Sequence, residues 1–89
     1  MTFLITYIPA TPSERNEDLL SRIKKYNVWA ILNATNYIIK IKDKKTTDIR
    51  EDLVEFLHSR DKLMVSELTG NAAWRGFNED LSAWLKRNL

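Results

Sequence analysis

The sequence contains no cysteine and a single histidine, His58, among its 89 residues. The lack of cysteine excludes a disulfide scaffold, a thiolate nucleophile and every zinc or iron-sulfur site that uses cysteine ligands. One histidine cannot build a multi-histidine metal site or a two-histidine proton relay, so only oxygen-ligand metals remain compatible with the composition. Although the composition leaves such a metal open, no residues are assigned as its ligands, and we expect no cofactor and no metal site.

Glycine and proline are scarce, with two of each, while 44% of the residues are hydrophobic and 29% are charged. This composition is typical of a compact chain rather than a disordered one, and its length predicts a single domain. Gly70 and Gly76 belong to no phosphate-binding loop pattern, which argues against nucleotide chemistry of the P-loop or Rossmann kind.

Long hydrophobic runs are also missing. The longest, Val28 to Leu32, is far shorter than the roughly 20 residues that a membrane-spanning helix needs. The first residues carry no basic stretch, and threonines interrupt their apolar pattern, so they predict a strand rather than a secretion signal. We therefore expect a cytoplasmic protein that does not contact a membrane.

The first half of the chain alternates between strand and helix patterns. Residues 2–8 are rich in β-branched and aromatic side chains and predict a strand. Residues 11–14 combine a capping threonine, a proline and a glutamate, which predicts that a helix begins there and continues to Asn27. Residues 28–32 and 37–42 predict two strands of a hairpin whose loop is residues 33–36.

The second half predicts a helix and a strand, followed by an extension. Thr46, Thr47 or Asp48 is expected to cap a second helix, and residues 63–68 predict a fourth strand. After a turn at residues 69–71, residues 72–77 fit either a fifth strand or an extended arm, and Asn78 is expected to cap a short last helix.

These elements predict an α+β fold of the ferredoxin-like class. The order βαββαβ gives a four-stranded antiparallel sheet with two helices on one face, followed by a C-terminal strand or arm and a short helix. Residues 1–89 form the single domain and residues 69–89 the appendix. Because the two helices leave the other face of the sheet uncovered, we expect the appendix to cover either its own sheet or a second subunit.

The clearest excess of charge is basic. Residues 38–50 hold five lysines or arginines against two aspartates, whereas residues 51–89 have a net charge of −2. Lys40, Lys42, Lys44 and Lys45 are candidate ligands for the phosphates of DNA or RNA. The alternative is that they solvate the sheet and deter pairing between sheet edges.

Three further groups have competing interpretations. Trp74, Arg75, Phe77 and Trp84 are candidate dimer-interface residues, or else a small core that ties the last helix to its own sheet. The acidic residues 48, 51, 52 and 55 are expected to form a solvated helix face. His58 is expected to complement the dipole at the end of the second helix rather than to act as a general base.

A resemblance to known proteins rests on residues 3–7, residues 62–65, and above all the segment 69–77 with the following Trp84, Leu85 and Lys86. The chain resembles small bacterial proteins often labelled SinR family, which are related to the Cas-two and VapD superfamily. The resemblance implies a ferredoxin-like fold, a homodimer formed through the sheet, and a C-terminal strand that extends the sheet across the dimer.

In the Cas-two proteins, which act in CRISPR spacer acquisition, an aspartate after a tyrosine at the end of the first strand is the proposed metal ligand. The matching pair here is Tyr7 and Ile8, and an isoleucine cannot coordinate magnesium. We therefore favour a non-catalytic homodimeric scaffold that binds nucleic acid weakly. The alternatives are a small nuclease of Cas-two or VapD type in a toxin or phage-defence setting, and a protein-binding adaptor or inhibitor.

Overall fold

The computed structural model describes residues 1–11 and 15–89. The described part contains four strands and three helices in the order β1 (Thr2–Ile8), α1 (Glu17–Ile23), β2 (Val28–Asn33), β3 (Asn36–Lys40), α2 (Thr46–Val54), β4 (Lys62–Leu68) and α3 (Glu79–Asn88). The strands form one antiparallel sheet with the spatial order β2-β3-β1-β4. This topology confirms the predicted α+β fold of ferredoxin-like type.

The core lies between the first face of the sheet and the helices α1 and α2. Alternate residues of β1 point to this face, because successive side chains of a strand point to opposite sides. Phe3 and Ile5 are completely buried there. They pack in one cluster with Tyr7 of the same strand, with Tyr37 and Ile39 of β3, and with Leu19, Ile23, Ile49 and Leu53 of the two helices.

The second face of the sheet is partly covered by α3 of the same chain. Leu85 of α3 is 2% exposed, and Ile38, on the side of β3 that Lys40 shares, is 4% exposed. From its lysines, the side of β3 that carries Ile38 and Lys40 is predicted to face solvent. Lys40 is indeed exposed, but the prediction is wrong for Ile38, which is buried. The α3 part of the appendix therefore packs on its own sheet within the single chain, and contact of the appendix with a second subunit stays a prediction.

Several predicted boundaries are wrong. The cap of α1 is Asn16, whose Oδ1 accepts the backbone N–H of Leu19 at 2.9 Å, and not Thr11. The predicted capping residues Pro12, Ser13 and Glu14 lie outside the described residues. The helix also ends at Ile23, earlier than Asn27.

The remaining corrections concern β3, α2 and the C-terminal segment. The β3 strand ends at Lys40, so Lys42 lies beyond it. The N-cap position of α2 is Lys45 rather than Thr46, Thr47 or Asp48, although Asp48 accepts the Lys45 backbone N–H at 2.8 Å. Residues 69–78, hereafter the C-terminal arm, form no fifth strand and include glycines with positive φ at Gly70 and Gly76. The arm alternative is confirmed, and Asn78 caps α3 as predicted.

Candidate nucleic-acid interface

The antiparallel strands bring distant basic residues to one end of the sheet. Residue Thr2, at the start of β1, pairs with Lys40 at the end of β3 and with Leu68 at the end of β4. Lys40 in turn pairs with Val28 at the start of β2. The segments that enter or leave the sheet at these four positions therefore meet at a single end of the molecule.

This end carries eight exposed basic side chains, and we call it the basic end. Lys40 and Lys42 lie at and just after the end of β3, and Lys44 and Lys45 lie in the loop that leads to α2. The structure thus keeps the four predicted lysines together. The other four basic side chains of this end are Lys24 and Lys25 after α1, and Lys86 and Arg87 in the last turn of α3.

Those last four residues were not predicted as part of the site. Lys24 follows α1 directly, and the chain then enters β2 beside Lys40. The end of α3 lies at the turn after β4, because a Cβ on Gly70 would lie 3.8 Å from the Leu89 carbonyl carbon. In the sequence both pairs are ordinary helix-ending basic residues, and no spacing rule connects them to residues 40–45.

The positively charged side chains of the basic end outnumber the negatively charged ones. The acidic side chains at this end are Asp43, Asp48 in the first turn of α2, Glu67 near the end of β4, and Asp52, which is paired with Arg22. Among the described residues, the ion pairs are Arg22 with Asp52, Arg50 with Glu51, and His58 with Asp61. None of these pairs uses a residue of the eight, so their charges remain available to an anionic partner.

A cleft of about 380 Å³ opens at the basic end between α1 and α2. Lys25 and Lys44 line it, together with Arg22, Tyr26 and Asp52. The Arg22 guanidinium donates to Asp52 through Nε to both carboxylate oxygens at 3.0 Å and through Nη2 to Oδ1 at 2.7 Å. The Tyr26 hydroxyl donates to Asp52 Oδ2 at 2.7 Å.

These contacts keep Asp52 ionised and bound. Burial opposes its charge, but the hydrogen bonds from Arg22 and Tyr26 and the charges of Arg22 and Lys44 outweigh burial and lower the pKa of Asp52. Burial, and then the hydrogen bond to Asp52, raise the pKa of Tyr26. The prediction that Asp52 belongs to a solvated acidic face is therefore wrong, because its carboxylate joins α2 to α1.

The opposite end of the molecule contains a second bound carboxylate. The Asp61 side chain is 0% exposed and accepts the Ala10 backbone N–H at 2.9 Å, the His58 backbone N–H at 3.0 Å and the Tyr7 hydroxyl at 3.2 Å. Burial again opposes the charge, but these hydrogen bonds and the nearby His58 lower the pKa of Asp61. His58 lies beyond the end of α2 at Val54, so it does not sit in the last turn of that helix as expected.

The aromatic residues of the C-terminal arm contact their own sheet. Trp74, Arg75 and Phe77 line a cleft of about 370 Å³ whose other wall includes Leu4 and Ile38 of the sheet. Trp74 Nε1 donates to Ser82 Oγ of α3 at 3.3 Å, and Trp84 is half-buried on α3. The structure therefore gives these residues a packing role within one chain, and their role in a dimer stays a prediction.

Ile8, the last residue of β1, is 52% exposed and offers no metal ligand from its side chain. Within residues 1–11 and 15–89, no three histidine or acidic side chains are grouped so that they could hold a metal ion. The helices of this same part of the chain are all too short or too polar to cross a membrane.

The chain matches no protein-family model, no curated protein and no solved structure. The fold and the site together define a small α+β domain of ferredoxin-like type whose basic side chains are concentrated at one end of the sheet.

Proposed function

We propose that this protein is a non-catalytic homodimeric scaffold that binds nucleic acid weakly through its basic end. The observation that carries the proposal is the concentration of eight exposed basic side chains, of fourteen in the whole chain, at one end of the sheet. The resemblance to the Cas-two and VapD proteins adds support. Such a surface neutralises phosphates without reading base sequence, because its contacts are with the backbone charge that all nucleic acids share.

The charge balance of the chain supports the expectation that the binding is weak. The formal net charge of the whole chain is only +2, so long-range attraction to a polyanion is small. The favourable contacts are local and come from flexible, solvated lysines. Affinity should therefore fall steeply with salt, since each neutralised phosphate of a duplex contributes about −0.9 to the slope of log K against log salt.

The test compares two variants that each lose four positive charges. The first changes the predicted lysines to glutamine (K40Q, K42Q, K44Q, K45Q). The matched control changes four exposed basic residues that are not among the eight of the basic end (R15Q, R50Q, R60Q, K62Q). Fluorescence anisotropy with labelled 20-nucleotide DNA and RNA, at low and moderate salt, measures the affinity and the salt slope of each variant.

We expect the first variant to lose about tenfold or more in affinity and to show a shallower salt slope, because each lysine that no longer neutralises a phosphate removes one released counterion. The control variant should stay near wild type. Equal losses in both variants would show that only overall charge matters, and would refute the assignment to the basic end. No binding of the wild type at low salt would refute nucleic-acid binding altogether.

Homodimer formation is supported by the part of the second face that α3 leaves open. Met64 on β4 is 60% exposed, and Ile8 on β1 is 52% exposed. Met64 pairs with Thr6, two residues before Ile8, so both apolar side chains lie on the same face. Apolar side chains that share an open sheet face are typical of a surface that a second subunit covers.

Light scattering of the purified protein tests this part of the proposal. We expect a dimer for the wild type and a monomer for M64E, because a buried glutamate without a partner is strongly unfavourable in an interface. The control is V54E, which changes another exposed apolar residue, 47% exposed, on α2. A monomeric wild type, or equal dissociation of both variants, would refute the proposed interface.

A further inference from the structure

The basic end includes the aromatic side chain of Trp29, which lies beside one of its lysines. Trp29 lies on β2, which is an edge strand because the sheet order is β2-β3-β1-β4. It is the second residue of that strand, directly after Val28, which pairs with Lys40. Trp29 is half-buried, with part of the ring packed against the core formed by the first face and its helices.

A lysine lies over the Trp29 ring. The Nζ atom of Lys24 is 5.3 Å from the ring centroid, which is the distance of a cation-π contact. Lys24 is itself exposed, so the side chain over the ring is flexible and solvated. A planar ligand can therefore take the place of the lysine at a small cost.

The surrounding charges indicate the chemistry of that ligand. Lys24 lies over the ring, and Lys25, the next residue in the chain, is also exposed. A planar aromatic group that carries an adjacent anionic group satisfies both features at once. Nucleotides have this combination: the base stacks on the ring, and the phosphate oxygens accept hydrogen bonds from the displaced Lys24 ammonium.

We propose that the preferred ligand of the basic end is single-stranded nucleic acid, with one base stacked on Trp29 and its flanking phosphates bound by Lys24 and Lys25. This inference rests on the proposed function and specifies its substrate. A duplex offers the same phosphates, but its bases are already stacked on each other inside the helix. It therefore gains the charge contacts and not the stacking contact.

The first experiment needs only the wild-type protein. Anisotropy at low salt compares three probes that share length and label: a 20-nucleotide oligothymidylate, an abasic 20-unit deoxyribose-phosphate strand, and a 20-base-pair duplex. We expect the oligothymidylate to bind about tenfold more tightly than the abasic strand, which is the usual scale for one stacked base. Equal binding of the abasic strand would overturn the stacking inference, because that strand keeps every phosphate and lacks every base.

Substitutions then locate the stacking contact. The W29L variant should bind oligothymidylate about tenfold more weakly and leave duplex affinity unchanged, whereas W29F should keep most of the affinity because its ring still stacks. The matched control is W84L, which removes a half-buried tryptophan from α3. Equal losses in W29L and W84L would refute the assignment to Trp29.

Fluorescence provides a readout that does not depend on a folded W29L protein. In the W74F, W84F double variant Trp29 is the remaining tryptophan of the three in the sequence. Its emission should be quenched by oligothymidylate and not by the abasic strand. Binding of all three probes with unchanged emission would refute the stacking contact and leave the proposed function standing, whereas binding of none of them would refute the proposed function itself.

Discussion

Replacing Asp61 tests how much of the fold depends on one buried carboxylate. Asp61 lies just before β4, and its three hydrogen-bond donors come from the end of β1, from the loop after it and from the turn after α2. In Asp61→Ala these donors lose their acceptor. Hydrogen bonds to a charged group contribute about 1.5–3 kcal/mol each in favourable cases, but the two backbone donors can bind water instead.

We therefore expect Asp61→Ala to lower the free energy of unfolding by about 2–3 kcal/mol. Asp61→Asn should cost less, about 1–2 kcal/mol, because its carbonyl can still accept the Ala10 N–H while its amide group faces the His58 N–H. Urea unfolding at pH 7, followed by circular dichroism, measures both differences. The loss is a large fraction of the 5–15 kcal/mol that is typical of a folded domain.

The pH dependence of the same difference provides a second check. The pKa of Asp61 is lower in the folded protein than its ordinary value of 3.8, so folding favours the ionised form. The stabilisation is complete above that ordinary value and is lost as the pH falls through the lower folded pKa. The gap between wild type and Asp61→Asn should therefore be full near neutral pH and shrink as the pH falls below 3.8.

Two results would refute this reasoning. The first is agreement of the unfolding free energies of wild type and Asp61→Ala at pH 7 within about 0.5 kcal/mol, which is the usual range for surface changes away from structural features. A gap that stays constant down to the acid transition would show that the charge of the carboxylate contributes nothing. His58→Gln, measured in parallel, separates the effect of the imidazole, whose Nδ1 lies 3.8 Å from Asp61 Oδ2.

Two other substitutions test the packing of α3 and the link between α1 and α2. Leu85→Ala should destabilise the protein by about 2–4 kcal/mol in urea unfolding, because it leaves a cavity under α3. The control Ala83→Ser, at an exposed position, should change the stability little. A loss below about 1 kcal/mol for Leu85→Ala would contradict the packing of α3 on its own sheet. Asp52→Asn should cost about 1–2 kcal/mol, since it weakens the hydrogen bonds from Arg22 and Tyr26. Glu51→Gln, which removes a solvent-exposed ion pair with Arg50, serves as its control, and equal effects of the two changes would contradict a special role for Asp52.

The order and type of the elements were predictable from local pattern. Residues 2–8 alternate β-branched and aromatic side chains, and the structure has β1 over the same residues. Asn78 precedes a run with helical spacing, and its Oδ1 accepts the Leu81 N–H at 2.8 Å. These patterns are reliable because the interactions behind them join residues only a few positions apart.

The start of α1 shows where local pattern fails. Thr11 and Asn16 are both good capping residues, and local rules favour Thr11 because a proline and a glutamate follow it. In the structure Asn16 caps the helix, and its Nδ2 also donates to the Phe56 carbonyl oxygen at 2.6 Å. The cap at Asn16 is therefore accompanied by a contact with a residue forty positions away in sequence. A rule that considers only neighbouring residues cannot include such a contact.

The burial of Ile38 is a second example. It shares a strand face with Lys40, and alternation predicts that this face looks towards water. The structure places α3 over one part of the face and leaves another part open, so neighbouring positions on the same side differ in exposure. Alternation gives the side of the sheet on which a residue lies, and only the position of a distant helix determines whether that side is covered.

The sequence by itself determined the amount of charge, the local basic excess of residues 38–50 and the βαββαβ order of the elements. Only the tertiary structure joined Lys24, Lys25, Lys86 and Arg87 to that excess and placed the Trp29 ring beside Lys24. The physical reason is that residues far apart in sequence become neighbours when antiparallel strands and returning helices end at the same edge of a sheet. Local interactions select the elements, and the pairing of strands decides which of their ends meet.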